Sequence, residues 1–237
     1  MYKKKPDSPQ CLDVHGNTTR LVQRGKKSDA EQVSNTCEMV FYDQGLWPVA
    51  GVDEAGRGPL AGPVVACALI LPHGLVIEGV TDSKKLSASR REALAAKIKA
   101  AAISYSYGIV DSRTIDEVNI HEATLMAMAQ AVMGLKPAPK VVLVDGKFPP
   151  RVPYPTVHII KGDLHCHLIA AASILAKVAR DEIMMELHQA YPQYGFDKHK
   201  GYGTAAHMAA LQEYGPCAAH RVTFKPIAAN HAFVHKD

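Results

Sequence analysis

Two short apolar runs, residues 49–52 and 64–71, stand one turn apart, and no other feature of the chain limits its fold as strongly. Each is too short for a globular helix and suits a buried strand. The link between them carries Gly56, Gly58, Pro59 and Gly62, so the runs are expected to pair as a hairpin. Beyond residue 71 the apolar period alternates between that of helices and that of strands. Ser87 caps a helix expected over 88–102, with Leu94, Ile98 and Ala101 at helical spacing, and 103–110 reads as the third strand. A helix over 119–133 stops at Gly134, with Pro137 beyond it. Residues 141–144 and 156–160 read as the fourth and fifth strands, and 169–191 as a long helix. Thr204 caps a last helix that runs to Tyr214 and ends at Gly215. Strands alternating with helices predict an α/β fold, and the opening hairpin makes its sheet mixed.

Composition narrows what such a chain does. Its 237 residues suit one domain with a small appendage. The longest apolar run, 64–71, is far short of the ~20 residues a spanning helix needs, so no membrane role is expected. The basic start meets Pro6, Asp7 and Pro9 rather than an apolar stretch, and the five Cys form no Cys-x-x-Cys pair. Both point to a reduced, cytoplasmic protein. A pI near 8.7 permits a polyanionic partner without requiring one. Residues 1–45 are polar and aperiodic. We read 1–38 as a disordered tail, 39–47 as a lead-in, and 46–237 as the folded domain. Lys3–Lys5 and Arg24–Lys27 in the tail suit weak added affinity for nucleic acid.

Acidic residues mark the ends of predicted elements. Asp53 and Glu54 follow the first strand, Asp145 the fourth, and Asp163 the fifth, where a helix opens. Ligands of open α/β sheets gather beyond the carboxyl ends of strands, so these carboxylates can converge although distant in sequence. Oxygen ligands of this kind suit Mg²⁺ or Mn²⁺ rather than zinc. Each residue also has a purely structural reading. Asp145-Gly146 is a turn signal, Asp163 suits a helix N-terminus, and Asp53 and Glu54 read as solvated turn residues. Other motifs fail. Arg57-Gly58 stands where a P-loop needs Lys then Ser or Thr, Ser173 and Lys177 miss the Ser-x-x-Lys spacing, and His165-Cys166-His167 has no partner pair at zinc-site spacing.

The stretch Gly51-Val52-Asp53-Glu54-Ala55-Gly56-Arg57-Gly58-Pro59-Leu60-Ala61-Gly62-Pro63 resembles the opening signature of the type 2 ribonucleases H, the bacterial ribonuclease HII family. Further blocks match in family order: Asp82-Ser83-Lys84-Lys85, Val144-Asp145-Gly146, Lys161-Gly162-Asp163, residues 170–181, His199-Lys200-Gly201-Tyr202-Gly203-Thr204 and His220-Arg221. The likeness covers about residues 47–227. It implies a ribonuclease H-like fold, a mixed central β-sheet flanked by helices with a C-terminal helical part, and makes 46–237 the catalytic domain. It implies an endonuclease that cuts RNA in RNA–DNA hybrids and incises 5′ to single ribonucleotides in duplex DNA, leaving a 3′-hydroxyl and a 5′-phosphate. Carried over by motif, Asp53, Glu54, Asp145 and Asp163 hold two divalent ions, Mg²⁺ or Mn²⁺, which suits phosphodiester hydrolysis with no side-chain nucleophile. The resemblance gives 2′-hydroxyl recognition to the Gly56-Arg57-Gly58 backbone and to Tyr202. Lys84, Lys85, Lys198 and Lys200 read as phosphate contacts or equally as solvated charges.

Two departures stand out. After Asp163 the family usually carries small or polar residues, and this chain has Leu164-His165-Cys166-His167-Leu168. Residues 1–45 lie outside the likeness and are too polar for the N-terminal domain of the related ribonuclease HIII. No clamp-binding motif stands at the C-terminus, so no sliding-clamp partner is expected, and a monomer is. Two other readings stand beside the nuclease: a non-catalytic RNA–DNA hybrid binding module of the same fold, marked by binding without turnover, and a structure-selective nuclease, marked by cutting of all-DNA duplex.

Overall fold

The computed structural model describes residues 10–12, 18–20 and 36–229. In chain order its elements are β1 (Gln10–Leu12), β2 (Thr18–Arg20), α1 (Thr36–Asp43), β3 (Val49–Ala55), β4 (Val64–Ile70), α2 (Ala88–Ala101), β5 (Ser104–Val110), α3 (Ser112–Met133), β6 (Val141–Asp145), β7 (Thr156–Ile159), α4 (Gly162–His165), α5 (His167–Ala190), α6 (Phe196–His199), α7 (Ala205–Tyr214) and α8 (Lys225–Ala228). The two apolar runs pair as the expected hairpin, with Gly51 opposite Leu69 and Ala55 opposite Val65. They form the middle of a five-stranded sheet ordered β5-β4-β3-β6-β7. β6 runs parallel to β3, and β7 parallel to β6, so the sheet is mixed.

Alternation along the strands fills two cores. Val49, Cys67, Leu69, Leu143 and Ile159 face α1, α2 and α5 on one side. Ala50, Val52, Ala68, Ile70, Val142 and Val144 face α3 on the other. A third cluster, with Leu60, Met184, Phe196, Leu211 and Ile227, ties the C-terminal helices to the loop after β3. The capping expectations hold: the Ser87 and Thr204 hydroxyls accept from the backbone N–H groups of Arg90 and His207. The helix expected from Asn119 starts earlier, at Ser112, but is broken at Asn119, whose φ is 70°. The Asn119 side chain accepts from the N–H groups of His121 and Glu122, so it caps the second segment.

Two boundaries differ from the sequence reading. β3 does not stop before Asp53; both acidic residues lie on the strand, opposite Cys67 and Ala66 of β4. The N-terminal extension is not uniformly without structure. β1 and β2 pair antiparallel, and α1 buries Cys37 and Phe41 in the main core, so the folded domain begins before residue 46. The rest of the expected tail, including Lys3–Lys5 and Arg24–Lys27, lies outside the described residues. Among the described residues no helix is long and apolar enough to cross a membrane.

Candidate active site

Strand register explains why two of the acidic residues meet. β3 and β6 are parallel, with Val49 beside Val141 and Gly51 beside Leu143. Side chains alternate, so continuing this register by one pair sets Asp53 and Asp145 side by side on the face covered by α5. Asp163 reaches the same strand ends from α4, directly after β7. The Gly162 N–H donates to Asp145 Oδ1 at 2.6 Å, tying α4 to the end of β6. The N–H of Glu54 donates to Asp53 Oδ1 at 2.7 Å.

The carboxylates feel one another. Asp53 is buried, and burial first, then the charges of Glu54 and Asp145, push its carboxyl well above the usual carboxylate range. The Ser173 hydroxyl on α5 opposes this by bonding the carboxylate. Ser83 Oγ lies 3.0 Å from Ser173 Oγ, so this seryl pair leads from the loop after β4 to Asp53. Asp145 is pushed up to about 6, again by burial first, with Asp163 and Glu54 adding and the Gly162 N–H opposing. The four acidic residues singled out in the sequence thus form one electrostatic group around Asp53 and Asp145. Among the described residues, no three His, Cys, Asp or Glu side chains are already gathered about a single coordination point. The donor chemistry nevertheless fits hard divalent cations: oxygen atoms only, partly buried, with neighbouring carboxylates adding to the raised proton affinity of Asp53 and Asp145.

Asp145 makes stability depend on pH. The unfolded chain releases this proton near pH 4, while the folded, metal-free protein keeps it to about pH 6. The folded state therefore binds more protons within that window, and stability falls as pH rises through it. Asp145→Asn is expected to flatten the profile, raising stability at pH 7 by about 1–2 kcal/mol after solvent screening. Thermal midpoints of both proteins from pH 4.5 to 7.5 in chelator check it; parallel profiles would remove Asp145 from the repelling group.

The loop after β3 is held from behind by two buried arginines. Arg180 on α5 donates to the carbonyls of Pro63 (3.0 Å), Ala61 (3.1 Å) and Lys200 (3.1 Å). Arg221 donates to those of Gly56 (2.6 Å), Arg57 (3.0 Å) and Gly62 (2.8 Å). Gly56 has φ 96°, and a Cβ there would meet Arg180 Nε at 2.0 Å, so only glycine lets the guanidinium pass beneath. The Leu60 N–H donates to the Gly201 carbonyl at 2.8 Å. A Cβ on Gly201, at φ 83°, would meet the Ala61 carbonyl oxygen at 2.5 Å. The structure thereby brings Gly56, Arg57, Gly58 and Tyr202 together, with the Tyr202 ring 3.8 Å from where a Gly58 Cβ would lie. Tyr202 is 48% exposed, and the Arg57 guanidinium lies 3.4 Å from Glu54.

The lysines separate into two kinds. Lys84 and Lys85 are exposed on a one-turn helix, Ser83–Lys85, and the carbonyls of Ser83 and of Leu86 just beyond it accept from Arg91 at 3.2 and 2.5 Å. Lys200 is turned inward, its ammonium 2.8 Å from the Asp197 carbonyl oxygen. Lys177 bonds Asp181 at 2.6 Å. The residues after Asp163 also find a structural role. His167 accepts the Ile77 N–H at Nε2 (3.0 Å) and donates its own N–H to Glu38 of α1 (3.2 Å). Cys166 is fully buried beside Glu38, which bonds it. This run is where α1 docks. Sequence reading assigned no role to Arg180, Arg221, Ser173 or Arg91; the two arginines stood inside matched blocks, and nothing local showed that they turn inward.

Comparison with known proteins agrees with this arrangement. The family model for ribonuclease HII matches residues 50–227. The chain is 55% identical over 192 residues to the ribonuclease HII of Bordetella avium, covering 81% of this chain and 94% of that protein. It is 54% identical to that of Caldanaerobacter subterraneus, covering 79% of this chain and 78% of that protein. Among solved structures, the ribonuclease H2 of Pyrococcus horikoshii superposes with a TM-score of 0.68 at 28% identity, covering 76% of this chain and 95% of that one. The ribonuclease HII of Archaeoglobus fulgidus, solved as a complex with PCNA, gives 0.62 at 27% identity, covering 75% and 95%. The fold, the acidic strand ends and these likenesses agree: the chain belongs to the ribonuclease HII family and is a ribonuclease H endonuclease.

Proposed function

We propose that the protein cleaves RNA in RNA–DNA hybrids and incises 5′ to single ribonucleotides in duplex DNA, leaving a 3′-hydroxyl and a 5′-phosphate. The observation that carries the reading is the group of neighbouring carboxylates at the strand ends, set next to the loop of Gly56, Arg57 and Gly58 and the exposed Tyr202. We assign Asp53, Glu54, Asp145 and Asp163 as ligands of two divalent cations, Mg²⁺ or Mn²⁺. Such ions, when bound, neutralise the scissile phosphate and lower the pKa of the attacking water.

The chain's own groups do the rest. The Gly162 N–H and the Ser173 hydroxyl hold Asp145 and Asp53 at the strand ends. Arg180 and Arg221 fix the carbonyls of the loop after β3, which holds the Gly56-Arg57-Gly58 backbone in place to meet a ribose. The Tyr202 hydroxyl can hydrogen-bond a 2′-oxygen, and its ring can pack on the following sugar, a pairing that separates RNA from DNA. Lys84 and Lys85 supply sequence-independent phosphate contacts.

The deciding experiment uses a labelled DNA duplex with one ribonucleotide and an all-DNA control, in Mg²⁺ and then Mn²⁺. A single cut 5′ to the ribonucleotide with a 3′-hydroxyl end is expected. Binding without a cut in either metal would favour the hybrid-binding module, and equal cutting of the control would favour a structure-selective nuclease. Tyr202→Phe is expected to lower kcat/KM on this duplex about tenfold, the value of one lost hydrogen bond. Unchanged kcat/KM would take Tyr202 out of recognition.

A further inference from the structure

Behind Tyr202 lies a group of imidazoles that the reaction does not use. His207 is 0% exposed and His220 3%. His207 Nδ1 lies 3.0 Å from the Tyr202 carbonyl oxygen, and its Nε2 lies 3.0 Å from His220 Nε2. The Cys217 N–H donates to His220 Nδ1 at 3.0 Å. On the other side His199 stacks on His207, ring centroids 4.5 Å apart and 15° from parallel. His199 Nδ1 accepts the Gly201 N–H at 3.2 Å, and its Nε2 reaches the Tyr194 carbonyl oxygen at 2.7 Å.

Hydrogen-bond direction assigns every proton in this group. A carbonyl oxygen only accepts, so His207 carries its proton on Nδ1. If neutral, its Nε2 accepts, and His220 donates from Nε2. His220 Nδ1 is then an acceptor, as the Cys217 N–H requires. The Cys217 carbonyl lies 3.3 Å from that nitrogen and receives no proton from it. His199 is likewise neutral, protonated on Nε2. The alternative, a charged His207 donating from both nitrogens, buries a cation and leaves the Cys217 N–H without an acceptor, both of which are costly. Burial disfavours the charged form of both His207 and His220.

We propose that His207 is a positioning residue for Tyr202, and that its Nδ1–H bond to the Tyr202 carbonyl, with the imidazole held in that tautomer by the chain from Cys217 through His220, supports the enzyme's selectivity for an isolated ribonucleotide. This rests on the reading of Tyr202 as the 2′-hydroxyl contact. The segment carrying Tyr202 turns at Lys200 and Gly201, both at positive φ, and leaves its aromatic ring half exposed. The Tyr202 N–H donates to the His199 carbonyl at 2.9 Å, and the Tyr202 carbonyl accepts from two donors, the Thr204 N–H at 2.8 Å and His207 Nδ1 at 3.0 Å. Among the described residues the imidazole is the one side chain bonded to that carbonyl, and it shares with the backbone in fixing the peptide plane from which the ring projects.

The test compares two amides. His207→Asn places a donor near the position of Nδ1 and keeps the Tyr202 contact while losing His220; His207→Gln reaches the position of Nε2 and does the reverse. Wild type, His207→Asn, His207→Gln, His207→Ala and Tyr202→Phe are assayed on a single-ribonucleotide duplex and on a long RNA–DNA hybrid. For His207→Gln and His207→Ala, the ratio of kcat/KM between these substrates is expected to fall about tenfold, as for Tyr202→Phe, while His207→Asn stays within about threefold of wild type. His207→Asn and His207→Gln behaving alike, with Tyr202→Phe losing selectivity, overturns the positioning role and leaves the Tyr202 reading intact. Selectivity retained by Tyr202→Phe overturns both. If the variants do not fold, imidazole ¹⁵N spectra of the wild-type protein at neutral pH decide. Neutral His207 with its proton on Nδ1, beside His220 and His199 protonated on Nε2, is expected; a doubly protonated His207 or the opposite tautomer overturns the chain.

Discussion

Replacing Asp53 by Asn is expected to lower cleavage of a ribonucleotide-containing duplex by at least about a thousandfold, because charge stabilisation by a bound cation is worth several kcal/mol and each 1.36 kcal/mol is tenfold in rate. The fold is expected to survive. Asp53 is buried beside Glu54 and Asp145, and without a cation its charge opposes folding rather than supporting it. The amide is nearly isosteric and keeps an oxygen for the Glu54 N–H, and the Ser173 hydroxyl can donate to an amide oxygen or accept from its NH₂. A catalytically dead protein whose thermal midpoint in chelator equals or exceeds that of wild type is therefore the expected pair of results. The two readouts separate a ligand from a packing residue. A midpoint well below wild type would make Asp53 a structural acid. Turnover within tenfold of wild type would show that its charge is dispensable.

The same divalent cation should reverse the order of stability. In Mg²⁺ or Mn²⁺ at pH 7.5 the wild-type midpoint should rise, because an ion that binds only the folded state stabilises it, whereas the Asn variant has lost a ligand and gains less.

How much of this was legible depended on the range of the interactions. The hairpin was visible because both partners are apolar runs separated by a glycine-rich turn. The caps at Ser87 and Thr204 were visible because capping is local. The acidic residues could be placed at strand ends, but their convergence needed the β3–β6 register, which no local pattern encodes. Asp53 and Glu54 look like turn residues because charge is rare inside a strand; the strand continues through them since β4 pairs them on its other side. Helix α1 escaped notice because its segment is flanked by polar sequence and its burial of Cys37 and Phe41 depends on α5. The His165-Cys166-His167 run made sense only once Glu38 and Ile77, distant in sequence, were seen to bond His167. Arg180 and Arg221 belong to the same class. A charged side chain is expected outside, and only the tertiary fold supplies enough carbonyl acceptors to bury one.

Arg221 carries the second large effect. Its side chain is fully buried and donates to three carbonyls of the loop after β3, at Gly56, Arg57 and Gly62, while its ring neighbour Phe224 lies 5.1 Å from the guanidinium carbon. Arg221→Met keeps much of the apolar volume and removes every donor. Buried carbonyls left without partners cost about 1–3 kcal/mol each, and part of that cost is relieved by water and loop movement, so a loss of about 3–5 kcal/mol is expected. For a chain of this size that corresponds to a fall of about 10 °C in thermal midpoint. Arg221→Lys restores the charge but not the planar fork that spans three carbonyls, so it should recover only part of the loss. Arg57→Ala, at the exposed tip of the same loop, is the control and should change stability by no more than about 0.5 kcal/mol. Below the melting range, the Met variant should still lose kcat/KM on the single-ribonucleotide duplex, because the loop is then free to leave the position from which its backbone meets the ribose. A midpoint within about 2 °C of wild type, measured by circular dichroism, would show that the loop holds its shape without Arg221 and that main-chain contacts, led by the Leu60 N–H to the Gly201 carbonyl, suffice.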